Sequence, residues 1–322
     1  MKYVQYINSL IQKNVKNKSE LVLFGQNIDA GSSLGGLTRG LSLQDDGLII
    51  NTQNSENSLV GVGFVLMLNN VSSVFFMKQM DFLLLGIDHL VNTYNIIRQS
   101  NPKASFTIFP VIVDSGYEGP QSALNNFDDF CSIAGVEGYS FSNNEDTKAI
   151  ISKHLIKPGF RILGTGQRLL REDTLELEIL QQESDCKYFQ YKSGNDATVV
   201  CFNYSLEYGV ELCNKLEDAG YEASLFSVNI HSKFNYNKII ENVLISNNLI
   251  LIDDTKSVNK CSDKFIMAVD NYCKAVKKII ITRKNTTLQY QPCDDRLIVD
   301  YESIVNQLNE TITGKLKYSS YE

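Results

Sequence analysis

The hydrophobic and polar positions of this sequence follow two alternating periods. In residues 4–16 the apolar side chains recur at helical spacing, whereas residues 20–25 form a short apolar run that ends in glycine. The first pattern predicts an amphipathic helix, and the second is typical of a buried strand in a parallel sheet. Strands that alternate with helices in this way predict an α/β fold.

The same alternation continues along the chain. Strands are predicted at residues 71–77, 106–114, 138–142 and 160–164, and helices at residues 56–68, 81–99 and 147–155. It restarts at Ala197, with strands at residues 198–202, 223–228, 249–253 and 278–282 and helices at residues 205–219, 237–243 and 262–273. The pattern therefore predicts two doubly wound domains.

A polar segment separates the two halves. Residues 175–196 are rich in Glu and Gln and end in Lys192-Ser193-Gly194-Asn195, a composition typical of a connection between domains. We therefore predict a first domain at residues 1–172, a linker at residues 173–196 and a second domain at residues 197–322.

Composition narrows the class of protein. With 322 residues, 43% of them hydrophobic, the chain is long enough for two cores. The net charge of -7, without a basic patch, argues against nucleic acid as a partner. The first residues are too polar for a secretory signal, and the longest apolar runs, such as residues 61–68, are too short to span a membrane. These features predict a soluble cytoplasmic protein.

The cysteines and histidines suggest no site of their own. The seven cysteines are scattered and form no CxxC pair, which argues against a zinc site and against a disulfide framework. We interpret them as free thiols, mostly in the core. His89 is interpreted as a structural helix residue, and His154 and His231 are predicted to lie on the surface.

The glycines after the first strand do not form a phosphate loop. Residues 26–40 contain Gly31, Gly35 and Gly36, but they match neither GxxxxGK[ST] nor a GxGxxG that follows a strand and opens a helix. We expect these glycines to serve turns.

Glu56 is the strongest candidate for a functional side chain. It follows a loop rich in Ser and Asn and opens a helix that is apolar nearly all round, as a helix buried between layers or subunits must be. The loop could cap the first turn, and a carboxylate there suits the helix dipole. The residue alone therefore leaves a structural and a functional role open.

The order of motifs decides between these roles, because it resembles the pyrimidine-binding subunit or domain of thiamine diphosphate enzymes of the transketolase and 2-oxo acid dehydrogenase type. Residues 51–64 resemble the family's "D-T-P-(I)-S-E-x-G-(I/F)-x-G" segment, and residues 81–92 resemble "D-F-x-x-x-x-(D)-Q-(I)-x-N". The resemblance implies that Glu56 activates the cofactor, that Phe82 stacks on its aminopyrimidine ring, and that Leu59 lies in the same cofactor site. The second half resembles the transketolase C-terminal domain, whose usual role is dimer contact and partner docking.

Two positions depart from the family pattern. Gln26, in a segment similar to "L-G-E-D-V", stands where the family usually has an acid, and Ser122 stands where the loop "G-P-x-H-S-Q" has its histidine. Imidazole can donate to a substrate and shuttle protons near neutral pH, whereas a serine hydroxyl can only hydrogen-bond. Gln26, Gln121 and Ser122 are therefore expected to contact the substrate.

The resemblance also implies a partner chain. The family holds the diphosphate and Mg²⁺ with a "G-D-G…N" segment, and no Gly-Asp-Gly occurs in this sequence. The chain is therefore similar to a β subunit of a 2-oxo acid dehydrogenase E1 component, as in pyruvate dehydrogenase, or to a split transketolase C-terminal section. It is expected to need an α-type subunit, in an α2β2 tetramer or another dimer of heterodimers.

Two functions follow from the resemblance. In the first, the chain is a subunit of an enzyme that transfers an acyl or ketol unit from a 2-oxo acid or a ketose, by decarboxylation and carboligation or in the manner of transketolase. In the second, it is a regulatory or scaffolding subunit that keeps the fold without the chemistry. Glu56 and Phe82 favour the enzyme, and Gln26 and Ser122 favour the scaffold.

Overall fold

A computed structural model of the chain describes residues 1–116, 118–119, 127–232, 234–283 and 296–319, with side chains described as far as residue 312. The first sheet is built from β1 (Leu21–Gly25), β2 (Leu48–Asn51), β3 (Ser72–Met77), β4 (Ser105–Ile112), β5 (Glu137–Phe141) and β6 (Gly159–Gly166). Its helices are α1 (Tyr3–Val15), α2 (Glu56–Leu68), α3 (Tyr94–Ile97), α4 (Phe127–Ala134) and α5 (Asn144–His154). The strands are all parallel, in the order β2-β1-β3-β4-β6-β5.

The second sheet is built from β7 (Gln181–Gln182), β8 (Tyr188–Lys192), β9 (Ala197–Phe202), β10 (Ala223–Val228), β11 (Asn248–Asp253) and β12 (Lys277–Thr282). Its helices are α6 (Leu206–Asp218), α7 (Asn237–Ser246), α8 (Asp263–Tyr272) and α9 (Tyr301–Ser319). The strand order is β12-β11-β9-β10-β8-β7, and β9 to β12 are parallel. The predicted α/β fold with two domains is confirmed.

The segment predicted as a linker, residues 173–196, contains two strands. β8 pairs antiparallel with β10 and places Phe189 opposite Ser227, and β7 continues the sheet as its last strand. β7 is only two exposed glutamines, so its sequence reads as a polar connection. An edge strand that is short and polar is poorly marked in a hydrophobicity pattern.

The sequence predicts a single regular helix at residues 81–99. This prediction is wrong, because the segment is helical but irregular. Residues Met80–Gly86 form a 3₁₀ helix, His89–Thr93 a π-helical turn, and α3 only the four residues after it. Gly86 lies so close to α2 that a Cβ atom added there would be 2.8 Å from Val60 Cγ2. This tight packing against α2 explains why the segment departs from regular α-helical winding.

α2 covers the first sheet with an aromatic core. The Phe64 ring contacts the ring of Phe106 edge-on at 5.0 Å and the ring of Phe160 at 4.9 Å. Gly63 lets the helix approach, because a Cβ there would be 2.2 Å from the ring of Phe106. The helix is thus held close to β4, and its first residue, Glu56, lies at one edge of the sheet.

A buried carboxylate joins the two domains beside α5. Asp146 accepts from the backbone N–H of Asn143 at 3.0 Å, which completes a capping box, and from Asn229 Nδ2 of the second domain at 2.9 Å. Asn229 Nδ2 also donates to the carbonyl oxygen of Ser140 at 2.8 Å. A helix cap and an interdomain contact therefore share one side chain.

No helix in the described part of the chain combines the length and the apolar character needed to cross a lipid bilayer.

The end of β1 gives a first testable prediction. Gly25 has a φ of +150°, and a Cβ added there would be 2.2 Å from the carbonyl oxygen of Phe76 in β3. Gly25→Ala should force β1 and β3 apart and lower the free energy of unfolding by about 3 kcal/mol or more.

Gly31→Ala is the matched control, because Gly31 has a φ of +60° and nothing within 4 Å of an added Cβ. Only the backbone penalty of the left-handed region applies there, about 1 kcal/mol. Urea unfolding of both variants measures the difference, and equal losses would contradict the close approach at Gly25.

Candidate functional site

Three of the predicted site residues follow adjacent strands of the first sheet. Gln26 comes directly after β1, Glu56 begins the helix after β2, and Phe82 lies in the 3₁₀ segment after β3. Because β2, β1 and β3 are neighbours and parallel, these side chains share the carboxyl edge of the sheet. In α/β sheets this edge is where ligands bind. Gln121 and Ser122 lie outside the described residues.

Glu56 is the first residue of α2 and is half-buried. Ser55 occupies the N-cap position, but its side chain does not cap the helix and instead donates from Oγ to Ser58 Oγ at 3.0 Å. The capping by this Ser/Asn loop that the sequence suggests therefore does not form at Ser55. Glu56 remains the acidic residue of the first turn, where the helix dipole favours a negative charge.

Phe82 and Leu59 are also half-buried and lie on two elements that pack together. A Cβ atom added at Gly86, one turn beyond Phe82, would be 3.4 Å from the carbonyl oxygen of Glu56. The 3₁₀ segment therefore runs against the first turn of α2. The structure brings the carboxyl group, the aromatic ring and the leucine into one region and leaves each of them partly open.

An exposed apolar face borders this region. It consists of Val62, Val65 and Leu68 on the outer side of α2 and of Leu84 and Leu85 on the adjoining 3₁₀ segment. Val65 and Leu85 are each 57% exposed. Clusters of exposed aliphatic side chains mark interaction surfaces in soluble proteins. The outer side of α2 is therefore exposed in the single chain, and burial of that side between subunits stays a prediction.

Sequence reasoning missed several polar residues at the same edge. The exposed Glu118, in the loop after β4, accepts from Gln79 Nε2 and from Gln167 Nε2. Asp81 is buried, and burial raises its pKa to about 6, while the positive charge of Lys256 acts in the opposite direction. These residues could have been found from the sequence by inspecting the loops that follow β3, β4 and β6.

Buried charges connect this edge to the second domain. Arg168 Nε lies 3.4 Å from Asp114 Oδ2, and Arg283 Nη2 lies 2.7 Å from Asp254 Oδ1. Arg283 Nη2 also donates to the carbonyl oxygen of Asp114 at 2.6 Å. Asp114 and Asp254 are completely buried, and burial raises the pKa of Asp254 to about 7, opposed by Arg283 and Arg168. Because the four residues follow β4, β6, β11 and β12, the carboxyl ends of both sheets face each other here.

The prediction that His154 and His231 lie on the surface is wrong. Both rings are buried, and burial lowers the pKa of His154 to about 4 and that of His231 to about 3. His154 stacks on Tyr139 at 4.3 Å, and His231 stacks on Phe127 at 4.1 Å. His154 thus packs on the strand that precedes its own helix, whereas His231 fills a contact between the two domains, which local patterns do not reveal. His89 Nδ1 lies 2.9 Å from Thr93 Oγ1, one turn along its own segment.

The comparisons with known proteins report the fold and leave the activity open. No model of a protein family matches the sequence, and no curated protein sequence matches it. Among solved structures, 245 chains match. One of them is a "Split gene transketolase, inactive beta4 tetramer", with a TM-score of 0.62 and 13% sequence identity over 97% of this chain and 96% of that one.

The chain has a transketolase-like fold. The similarity extends over nearly all of both chains, so this fold includes both domains and leaves no large part unmatched. At 13% identity it carries no residue roles, and the assignments of Glu56, Phe82, Leu59 and Gln26 stay predictions.

The interdomain charges give a prediction on pH. With its pKa raised from 3.8 to about 7, folded Asp254 keeps a proton that the unfolded chain loses between about pH 4 and pH 7. Asp254 should therefore contribute a fall in the free energy of unfolding as the pH rises over this interval, whereas the buried His154 and His231, with lowered pKa values, contribute a rise. Asp254→Asn cannot titrate, so the stability of the native chain relative to this variant should fall from pH 4 to pH 7.

The measurement is the urea midpoint at several pH values between 4 and 7. Asp218→Asn, which removes an exposed carboxylate on α6, serves as the control and should keep the native slope. The slope, and not the level of stability, is decisive, because Asp254→Asn also weakens the pair with Arg283. Parallel curves for the native chain and Asp254→Asn would refute the burial effect.

Proposed function

We propose that this chain is the β-type subunit of a thiamine diphosphate-dependent enzyme that transfers an acyl or ketol unit. The observation that carries the proposal is the meeting of Glu56, Phe82 and Gln26 at the carboxyl edge of β2, β1 and β3. Three residues chosen by resemblance to the family come from segments far apart in the chain. Their convergence at one edge supports a common site.

The residues suit the pyrimidine half of the cofactor. An aminopyrimidine ring needs a flat aromatic surface, apolar walls and one hydrogen-bonding carboxyl group, and Phe82, Leu59 and Glu56 offer these. All three are half-buried, as expected of a site that a second surface completes. The diphosphate and Mg²⁺ have no matching Gly-Asp-Gly segment in this sequence, so we assign them to a partner.

The role assigned to this chain is to position a proton beside the pyrimidine ring of the cofactor. Thiamine diphosphate, when bound, supplies the acidic C2 position at which carbon–carbon bonds are cleaved and formed. Glu56 would share a proton between its carboxyl oxygen and the pyrimidine N1′. Contact with a partner would exclude water from this carboxyl group and so strengthen its hydrogen bond to the ring. Phe82 would fix the plane of the ring.

The exposed apolar face supports an assembly. It adjoins Glu56 and Phe82, so a chain that covers it would also close the cofactor site. The matched solved structure is described as an inactive β4 tetramer of a split-gene transketolase, which is consistent with a chain of this kind needing another subunit. We propose an α-type partner with the "G-D-G…N" segment, in an α2β2 tetramer or another dimer of heterodimers.

The substrate assignment rests on the departures from the family. Gln26 is half-buried at the end of β1 and can hydrogen-bond to a substrate where the family has an acid. With Gln121 and Ser122 it is assigned to the substrate, a 2-oxo acid or a sugar. Without the loop histidine, a decarboxylating or carboligating enzyme is as well supported as a pyruvate dehydrogenase-like subunit or a transketolase.

The first functional prediction concerns assembly. The chain alone should bind thiamine diphosphate and Mg²⁺ weakly, because the residues expected to hold the diphosphate and the metal lie on a partner. Isothermal titration of the purified chain measures this, first alone and then with a partner chain that carries the Gly-Asp-Gly segment. Binding at micromolar concentrations by the isolated chain would refute the division of the site between two chains.

The second functional prediction concerns Glu56. Glu56→Gln should change the free energy of unfolding by about 1 kcal/mol or less, because the amide has nearly the same shape. It cannot share a proton with N1′, so turnover and C2 hydrogen–deuterium exchange of bound thiamine diphosphate should fall about 100- to 10,000-fold in the reconstituted complex.

Glu176→Gln removes an exposed carboxylate from the chain segment between β6 and β7. It is the control and should leave the exchange rate unchanged. Assembly of both variants is checked by size-exclusion chromatography, which separates loss of chemistry from loss of the complex. If Glu56→Gln exchanges at the native rate in an intact complex, Glu56 has no part in the chemistry and the scaffolding function becomes the better proposal.

A further inference from the structure

Three potential metal ligands meet inside the contact between the domains. Asp128 lies on α4, His231 follows β10, and Cys261 precedes α8, and all three are buried. One ligand atom from each lies within 4.8 Å of the other two. Among the described residues, these three form the one group of Cys, His and acidic side chains whose ligand atoms lie this close together. We refer to it as the Asp128–His231–Cys261 cluster.

The distance between the sulfur and the imidazole fits coordination of a single ion. Cys261 Sγ lies 3.5 Å from His231 Nδ1. Two ligands on a tetrahedral zinc ion, with bonds of about 2.3 Å to sulfur and about 2.1 Å to nitrogen, are separated by roughly 3.6 Å. These two ligands therefore need little movement, and Asp128 would approach by a small change of its side chain.

His231 has hydrogen-bonding capacity that the described residues do not use. Its Nε2 atom is buried and has no hydrogen-bond partner in the part of the chain that the structure describes. The ring is nevertheless well positioned, because Phe127 stacks on it at 4.1 Å and the His231 backbone N–H donates to the carbonyl oxygen of Gly138 at 2.8 Å. Nδ1, the nitrogen that faces Cys261, is thereby fixed in place for coordination, and the unpaired Nε2 is the ring's other nitrogen.

The surroundings of the cluster hold its ligands in place and leave them available to an ion. Thr255 Oγ1 lies 3.0 Å from Cys261 Sγ and donates its proton to Asp253 Oδ1, so the loop that carries Thr255 and Cys261 is fixed beside the sulfur. Lys264 Nζ lies 3.6 Å from Asp128 Oδ2, and its side chain is 44% exposed. Lys264 can therefore move to solvent and leave the carboxylate to an ion.

The charges of such a site balance. One divalent ion with the carboxylate of Asp128 and the thiolate of Cys261 has no net charge, which suits a buried position. Ligands of sulfur, nitrogen and oxygen together suit zinc better than magnesium or calcium, which prefer oxygen.

We propose that Asp128, His231 and Cys261 bind one zinc ion that joins the two domains. On binding, the sulfur–zinc bond forms as the thiol loses its proton to solvent, and no oxidation or reduction takes place. A water molecule, which adds no charge, completes the coordination. The role is structural, because the cluster is closed to substrates. This inference does not depend on the proposed function.

Sequence patterns miss the site because its ligands come from three separate segments. Zinc sites are recognised in sequences by pairs such as CxxC, and the cysteines here contain none. Cys261 and His231 are 30 residues apart, and Asp128 belongs to the other domain. Only the packing of α4 against the loops of the second domain brings them together.

The test measures metal binding by the full chain directly. The chain is freed of metal with a chelator, titrated with Zn²⁺ in competition with a chromophoric chelator, and separately titrated with Co²⁺ as a spectroscopic probe. We expect one equivalent of either ion to bind, a thiolate-to-cobalt charge-transfer band, and a higher thermal midpoint with Zn²⁺. No binding at micromolar Zn²⁺, or a cobalt complex without the thiolate band, would overturn the proposal.

Variants assign the ligands. Cys261→Ser should weaken zinc binding more than about 100-fold and abolish the charge-transfer band, because it removes the thiolate. Cys213→Ser, a buried thiol on α6 outside the cluster, is the control and should bind as the native chain does. Equal affinities for Cys261→Ser and the native chain would refute the site. If Cys261→Ser does not fold, His231→Gln provides the same comparison, and the native cobalt spectrum still decides whether sulfur binds.

Discussion

The ion pairs of Arg168 and Arg283 with Asp114 and Asp254 are the interaction on which the arrangement of the two domains depends. Burying two carboxylates has a large dehydration cost, and only the two guanidinium groups and the hydrogen bonds beside them offset it. Because each charge compensates the others, removing one leaves its partner buried and unpaired. These four charged residues therefore fix the position of one domain on the other more than they add to the stability of the fold.

This fixed position has a consequence for the candidate site. It holds the loops of the second domain against the carboxyl edge of the first sheet, where Lys256 Nζ donates to the carbonyl oxygen of Gly116 at 2.9 Å and influences the charge of Asp81. The edge that carries Glu56 and Phe82 is thus built by both domains on one side. On its other side it ends in the exposed apolar face.

Much of the fold could be predicted from the sequence, because strands such as β1 and β11 contain continuous apolar runs and alternate with helices of regular period. β7 could not, because an exposed strand of two glutamines has no hydrophobic signal. β8 has a strand signal in Tyr188, Phe189 and Tyr191, but it lies within a segment that is polar as a whole. The irregular winding of residues 80–100 depends on how closely Gly86 approaches Val60, which is a property of packing and not of local pattern.

The residues of the candidate site also divide into those that the sequence predicts and those that it does not. Glu56 and Phe82 could be named because they stand in motifs with a fixed local spacing, and the strand order explains why they meet. His231 and Asp254 could not, because each gains its character from burial beside residues of the other domain. A histidine outside any motif has the sequence signature of a surface residue whether or not it ends in the core.

If another chain covers the apolar face of α2, as proposed, the amount of this protein would be tied to the amount of that chain. A chain made in excess would display Val62, Val65 and Leu68 to the quality-control machinery of the cell in the same way that a partly unfolded protein displays its core. Surplus copies would then be removed by chaperones and proteases, and covered copies would be spared. A helix surface that serves recognition can in this way also set stoichiometry, since the half-life of each subunit would depend on finding its counterpart.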